Sequence, residues 1–243
     1  MNAGKMARVI LFTMAAGAAL AGGLGGQNQT APPASTAGGA SALPAEVYPD
    51  SQMRLPAVKR ENLDDFGKKI YDRFANPDNP TAAIRGPNSV RLYSPVVAEH
   101  LYTVNQYLRN ATGFGNRLAE LAILNAAREA SSPYEWSAHE SAAQRAGLEQ
   151  EIIDIVKYRK ELPGTGVSKG LGEKESLIIR LARAMFRDKT VSPALFAEGR
   201  RLFGDKGLVE VVSLMAHYSA TGVLLNTFGN VPAPSPNSPL PLP

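Results

Sequence analysis

Cysteine is missing from all 243 residues. Without a thiol the chain cannot form a disulfide, cannot use a thiolate nucleophile and cannot offer sulfur to a metal. Tryptophan occurs once and histidine three times, so imidazole chemistry has three candidate positions, His100, His139 and His217. Neither sign of charge is in large excess. The formal net charge is +4, and it falls to +2 when Lys5 and Arg8 are set aside, because residues 1–21 contain no acid. So small a balance, carried by scattered lysines and arginines, argues against a nucleic-acid partner or an anionic membrane surface. A convincing alternating strand pattern is absent too, which leaves the helix as the element to look for.

The two ends lack the composition of a fold. Lys5 and Arg8 precede an apolar run over 9–21 that closes on Ala19-Leu20-Ala21, the pattern of a cleavable secretory signal. The run is short for a bilayer span, so the expectation is a periplasmic or secreted protein with no stable membrane insertion after cleavage. No cysteine follows to carry a lipid. Residues 22–57, rich in Gly, Ala, Ser, Pro, Gln and Thr, read as a disordered linker. Residues 231–243 have proline at nearly every second position and read as an extended, disordered tail. The folded domain is expected over 58–230, ample for a hydrophobic core.

Within it the periodicity predicts seven or eight helices. One covers 62–75, with Leu63, Phe66, Ile70 and Phe74 at helical spacing. A loop over 81–92 contains Gly86-Pro87. Ser94-Pro95 then opens a helix to about Arg109, serine as N-cap and proline in the first turn. Further helices are expected over 148–160, 173–187 and 194–203. Gly204-Asp205 breaks the last of these. A long apolar helix over 208–228 ends at Gly229. Glu210, Ser213, His217, Ser219 and Asn226 interrupt that helix, which favours a buried core helix over a membrane span.

The chain is organised around 116–146, two helices joined at Ser131-Ser132-Pro133. The first is apolar on almost every side, so Glu120 is placed at low dielectric. Its partner there is either an arginine, Arg117 or Arg128, or a group with which it does chemistry. The second gathers Tyr134, Glu135, Trp136 and His139 within six residues. Two readings of Glu135 stay open. Ser132-Pro133-Tyr134-Glu135 has the form of a capping box, in which Glu135 reaches back to the Ser132 amide. Alternatively Glu135 shares a helix face with His139, four residues on, and both handle protons. Three ligands, Glu120, Glu135 and His139, could hold a metal in principle, but no further His-rich or acidic cluster supports a metal site.

These residues resemble the carboxymuconolactone decarboxylase family, which includes alkylhydroperoxidase D. The similarity spans roughly 92–229. It is carried by Arg117-Leu118-Ala119-Glu120-Leu121-Ala122-Ile123-Leu124, by Tyr134-Glu135-Trp136-Ser137-Ala138-His139, by 143–148 leading into Glu151-Ile152-Ile153, and by the closing Leu224-Leu225-Asn226-Thr227-Phe228-Gly229. The resemblance implies an all-α, alkylhydroperoxidase D-like domain and a homo-oligomer, trimer or hexamer. The peroxidase branch uses a glutamate, a Cys-x-x-Cys pair and a histidine four residues later. Here the glutamate falls on Glu120 and the histidine on His139, while the thiol positions fall on Ser132 and Glu135. Neither can exchange thiols, so the peroxiredoxin-like activity of that branch is disfavoured. The thiol-free branch includes a decarboxylase (a lyase) that acts on a small carboxylated butenolide and needs no metal or organic cofactor.

The expectation is therefore a cofactor-free acid–base enzyme acting on a small carboxylated lactone or aromatic catabolite. Glu120, Glu135 and His139 would be catalytic. Arg85, Arg117, Tyr134, Trp136 and His217 would line the substrate site, with the two arginines as carboxylate anchors. For His217 a core histidine with one backbone partner is the favoured reading and the pocket role the alternative; His100 is read as structural. The alternatives are a non-catalytic small-molecule binding protein on the same fold and, weakest, a redox protein that borrows a partner's thiols.

Overall fold

A computed structural model of the chain describes residues 43–79, 82–235, 237 and 239–242. The signal expected over 1–21 and most of the linker lie outside these residues. The described part is all-α: α1 Asp65–Phe74, α2 Pro87–Arg91, α3 Pro95–Asn110, α4 Gly115–Glu129, α5 Pro133–Arg145, α6 Gln150–Lys157, α7 Glu173–Arg183 and α8 Pro193–Thr227, with a 3₁₀ turn at Arg60–Asn62 and a π turn at Ala184–Asp188 after α7.

The apolar sequence of α4 makes it the axis. Every residue from Ala119 to Arg128 is buried, and α5, α6, α7 and α8 pack around it. Leu121, Ile123 and Leu124 share one core with Ile152 and Ile153 of α6, Leu177 and Ile178 of α7, and Leu214 and Met215 of α8. Each side chain of this size stabilises the fold by roughly 1.5–3 kcal/mol on burial. Ile70, Leu92 and Ala98 form a smaller cluster where α1 meets α3.

Helix starts follow local chemistry, with exceptions. Asp64 accepts from the Gly67 amide and Ser192 from the Leu195 amide, but Ser94 and Ser132 stand at N-caps without making a side-chain cap bond. Gly204 breaks α8 with φ 68° and ψ 174°, the left-handed geometry that glycine tolerates. Half of the most apolar window of α8 is buried inside the domain, which is what a core helix requires.

Three expectations need correction. The loop foreseen over 81–92 contains α2, whose proline start follows Gly86. Part of the linker is packed: Met53 is wholly buried, the Arg54 amide donates to the Phe228 carbonyl at 2.8 Å, and the Val231 amide donates to the Gln52 carbonyl at 3.0 Å. The tail is not free either. Leu240 is buried in the main core, and Pro232, Pro239 and Leu240 face Pro133, Trp136 and Glu140 of α5. Composition foresaw an unstructured end, yet one leucine finds an apolar seat beside tryptophan.

Candidate functional site

α4 and α5 run side by side after the break at Ser131, and this sets Glu120 opposite His139. Oε2 of Glu120 lies 2.7 Å from Nδ1 of His139. On α5 itself, one turn earlier, Oε2 of Glu135 lies 3.4 Å from the other ring nitrogen, Nε2. The imidazole is thus held between two carboxylates. The second oxygen of Glu120 accepts from Nη2 of Arg109, at the end of α3, at 2.9 Å. The ring stands edge-on to Tyr218 of α8, 5.0 Å between centroids. Its three neighbours along the chain of hydrogen bonds come from three different helices.

This geometry favours the charged ring. Burial disfavours an imidazolium, but the hydrogen bonds the ring donates to Glu120 and Glu135 and their negative charges outweigh it, and the pKa of His139 is raised above the ordinary 6.5. Only the doubly protonated ring has a donor for each carboxylate. Glu120 is the reverse case. Burial pushes its pKa up, but His139 and Arg109 together bring it below the ordinary 4.5.

His139 and Glu135 open onto a cavity of about 250 Å³, lined also by Arg91, Asn105, Arg109 and Tyr134. That is just under the ~300 Å³ lower end of ordinary ligand pockets, so it suits a small molecule. Arg91 is its most telling wall. The residue is 6% exposed. One terminal nitrogen donates to the Thr221 hydroxyl at 2.7 Å, and that hydroxyl donates to the His217 carbonyl at 2.8 Å. Nε of Arg91 is buried with no partner. Burial lowers the pKa of this guanidinium, with the charge of Glu135 partly opposing. A buried cation without an ion-pair contact is costly, and an anion entering the cavity would relieve it. Tyr218, held by Asn105 at 3.0 Å, is pushed up to about 12 by burial and stays a neutral phenol. A second cavity of about 270 Å³, lined by Arg109, Asn116, Glu120 and Arg145, shares Arg109 as a wall.

The structure brings together Glu120, Glu135, His139 and Tyr134 as expected and separates the rest. Glu135 turns to His139 rather than back to the Ser132 amide, and the Ser132 hydroxyl is buried without a partner; the capping-box reading is corrected. Arg117 is no anchor. It donates to Glu175, to Glu149 at 2.5 Å, to the Gly147 carbonyl at 3.1 Å and to the Gly170 carbonyl at 2.9 Å, pinning α4 to two loops and to the first turn of α7. Trp136 is in the core and lines the crevice under the tail rather than the cavity. His217 is half-buried behind the wall, its Nε2 unpartnered, and burial takes its pKa to about 4; it remains neutral. Arg85 is exposed, outside the cavity, although its charge acts on the Tyr134 phenol. Beside it Gly86 has φ 67°, and a side chain there would come within 2.5 Å of the Tyr134 hydroxyl. His100 is exposed on α3. Among the described residues no group of three His, Asp or Glu side chains is arranged to hold a metal. Sequence reasoning missed Arg91, Arg109, Asn105 and Tyr218. The available signal was Arg91 standing between Val90 and Leu92, an arginine in an apolar setting.

No family model matches the sequence, and no curated protein is significantly similar to it. In fold, the chain is similar to the crystal structure of an alkylhydroperoxidase AhpD core, an uncharacterized peroxidase-related protein from Ralstonia eutropha JMP134. The TM-score is 0.59 at 16% identity, over 75% of this chain and 93% of that one. At that identity the likeness establishes an all-α, AhpD-like fold.

Proposed function

We propose that the chain is a thiol-free acid–base protein on the AhpD-like fold, binding a small carboxylate in the Arg91 cavity and moving a proton to or from it. The observation that carries this reading is His139, held between two carboxylates at 2.7 and 3.4 Å and opening on one cavity with Arg91, whose Nε has no hydrogen-bond partner. Arg91 anchors the substrate carboxylate. Glu120, fixed by Arg109, orients the imidazolium as the acid of a catalytic triad orients its histidine. Glu135 and His139 hand the proton on.

The reaction class is that of a cofactor-free decarboxylase, lyase or isomerase acting on a small carboxylated lactone or aromatic acid. In a decarboxylation the C–C bond breaks, CO₂ leaves, and the electron pair remains on the substrate as an enolate. The His139 imidazolium delivers a proton to that carbon and is reprotonated from water. General acid catalysis of this kind contributes ~10²–10⁴-fold. The sequence pattern at Lys5, Arg8 and 9–21 supports placing the protein outside the cytoplasm. Exposed Val96, Val97, Val104 and Tyr107 on α3 support a homo-oligomer, which light scattering of the purified protein would test.

The function test is a panel of carboxylated butenolides, muconates and aromatic acids, read by thermal shift and then by turnover. The reading expects a hit whose turnover disappears in His139→Ala while the shift persists. A hit with stabilisation and no product from any member would make the chain a binding protein. Wild-type turnover in His139→Ala would remove the acid–base assignment.

A further inference from the structure

None of the residues in a second charged cluster lines the His139 cavity. The C-terminal ends of three helices meet there: α4, ending at Glu129, α6, ending at Lys157, and α7, which runs into the π turn Ala184–Asp188. Each end is closed by a left-handed residue other than glycine, namely Ser131 at φ 47°, Arg159 at φ 51° and Lys189 at φ 58°. Glycine is the usual residue for this closure; at position 159 an arginine takes it and swings its side chain onto Glu129.

Two arginines pair with that one carboxylate, and two more stand beside it on backbone carbonyls. Nε of Arg187 lies 2.9 Å from Oε1 of Glu129, and Nη2 of Arg159 lies 3.1 Å from Oε2. Arg128 donates from Nε to the Lys157 carbonyl at 2.8 Å, and Arg183 from Nη2 to the Lys160 carbonyl at 2.6 Å. Two guanidinium N–H groups are left buried without partners, Nη1 of Arg128 and Nε of Arg183. Burial, and then the charge of neighbouring arginines, weakens the hold of Arg128 and Arg183 on their protons.

Charge arithmetic shows the imbalance. Three helix ends contribute roughly −0.5 each, and Glu129 contributes one full negative charge, about −2.5 in all. Four guanidinia oppose this with +4, leaving about +1.5 uncompensated. Serving helix ends therefore explains part of the cluster and not the rest. The excess equals the charge of about −1.5 to −2 that a phosphate group carries at neutral pH. Guanidinium forks match its oxygens in bidentate fashion, and the side chains of Arg159 and Arg187 are about one-third exposed, within reach of solvent.

We propose that this cluster is a binding site for a small phosphate-class oxyanion, received by the outer edges of Arg159 and Arg187 with Arg128 and Arg183 behind them. It is independent of the proposed reaction at His139. The experiment is calorimetric titration of the full chain with inorganic phosphate and, separately, methyl phosphate, each against sodium chloride of equal ionic strength. Because the cavity also favours anions, Arg91→Gln serves as background. In that background phosphate binding at the cluster is expected to remain, and to weaken at least about tenfold when Arg159→Gln and Arg187→Gln are combined with Glu129→Gln, the third change avoiding a stranded carboxylate. If that variant does not fold, the single changes Arg159→Gln and Arg187→Gln are each expected to weaken binding. Preference between the two ligands distinguishes a free ion from an esterified one. No heat beyond chloride, a response lost in Arg91→Gln, or one unchanged by the arginine replacements would overturn the site.

Discussion

α5 carries two buried charge networks one residue apart, and they differ in kind. Glu140 pairs with Lys157 of α6 at 2.9 Å, both side chains 3% exposed or less, and the Lys157 ammonium also stands 5.7 Å from the Trp136 ring centroid. One acid meets one base, away from the His139 cavity. Glu135 and His139 belong instead to a chain of groups that borders that cavity, beside an arginine with a free N–H. A closed pair holds two helices together, whereas an open network borders a cavity that a small molecule can enter. The contrast explains why burial of charge alone does not mark a site: the opening and the missing partner do.

The comparison can be broken at its closed end first. Lys157→Met leaves Glu140 buried and unpaired, and is expected to destabilise the fold by ~3–5 kcal/mol in urea denaturation. Replacing both partners by apolar residues should recover most of that loss; an undiminished loss in the double variant would mean the pair does more than neutralise itself. At the open end, His139→Gln is expected to lower turnover ~10²–10⁴-fold with a much smaller change in stability. Arg91→Gln should weaken carboxylate binding by ~10–100-fold, the worth of one charge-assisted hydrogen bond, and this would read as a raised KM. A KM unchanged in that variant would place the anchor elsewhere.

pH sharpens the contrast. The raised pKa of His139 means that its stabilisation is complete below the ordinary 6.5 and is lost as pH climbs through the folded value above it. The lowered pKa of Glu120 means that its stabilisation is complete above the ordinary 4.5 and is lost as pH falls through the folded value below it. Together they stabilise most between about 4.5 and 6.5. The stability difference between wild type and His139→Gln, measured across pH, should therefore shrink above that window. The smallest effect is expected at Arg117, whose ion pairs with Glu149 and Glu175 are partly exposed. Arg117→Gln should cost on the order of 1 kcal/mol and leave KM alone.

Much of this arrangement is legible in the sequence. An acid inside an apolar helix, followed by an imidazole one turn after another acid, located Glu120, Glu135 and His139, and Gly204 announced the break in α8. The arginines were harder to read, because their roles depend on how helices pack. Arg117 stands at the start of an apolar helix and looks like a site residue, yet its partners lie 30 to 58 residues away, in two loops and at the start of α7. Arg109 looks like the polar end of an amphipathic helix, and only the turn from α3 into α4 lays it on Glu120. Local composition also misjudged the tail, since proline spacing says nothing of the seat that Leu240 finds in the core.

The most direct measurement is a pH titration of the His139 ring by nitrogen-detected NMR in the full-length protein, assigned through His139→Gln. The account predicts an imidazolium with both N–H groups retained to pH values above 6.5, and a fall in that pKa in Glu120→Gln. A ring that loses its proton at or below 6.5, or that is unaffected by Glu120→Gln, would contradict it.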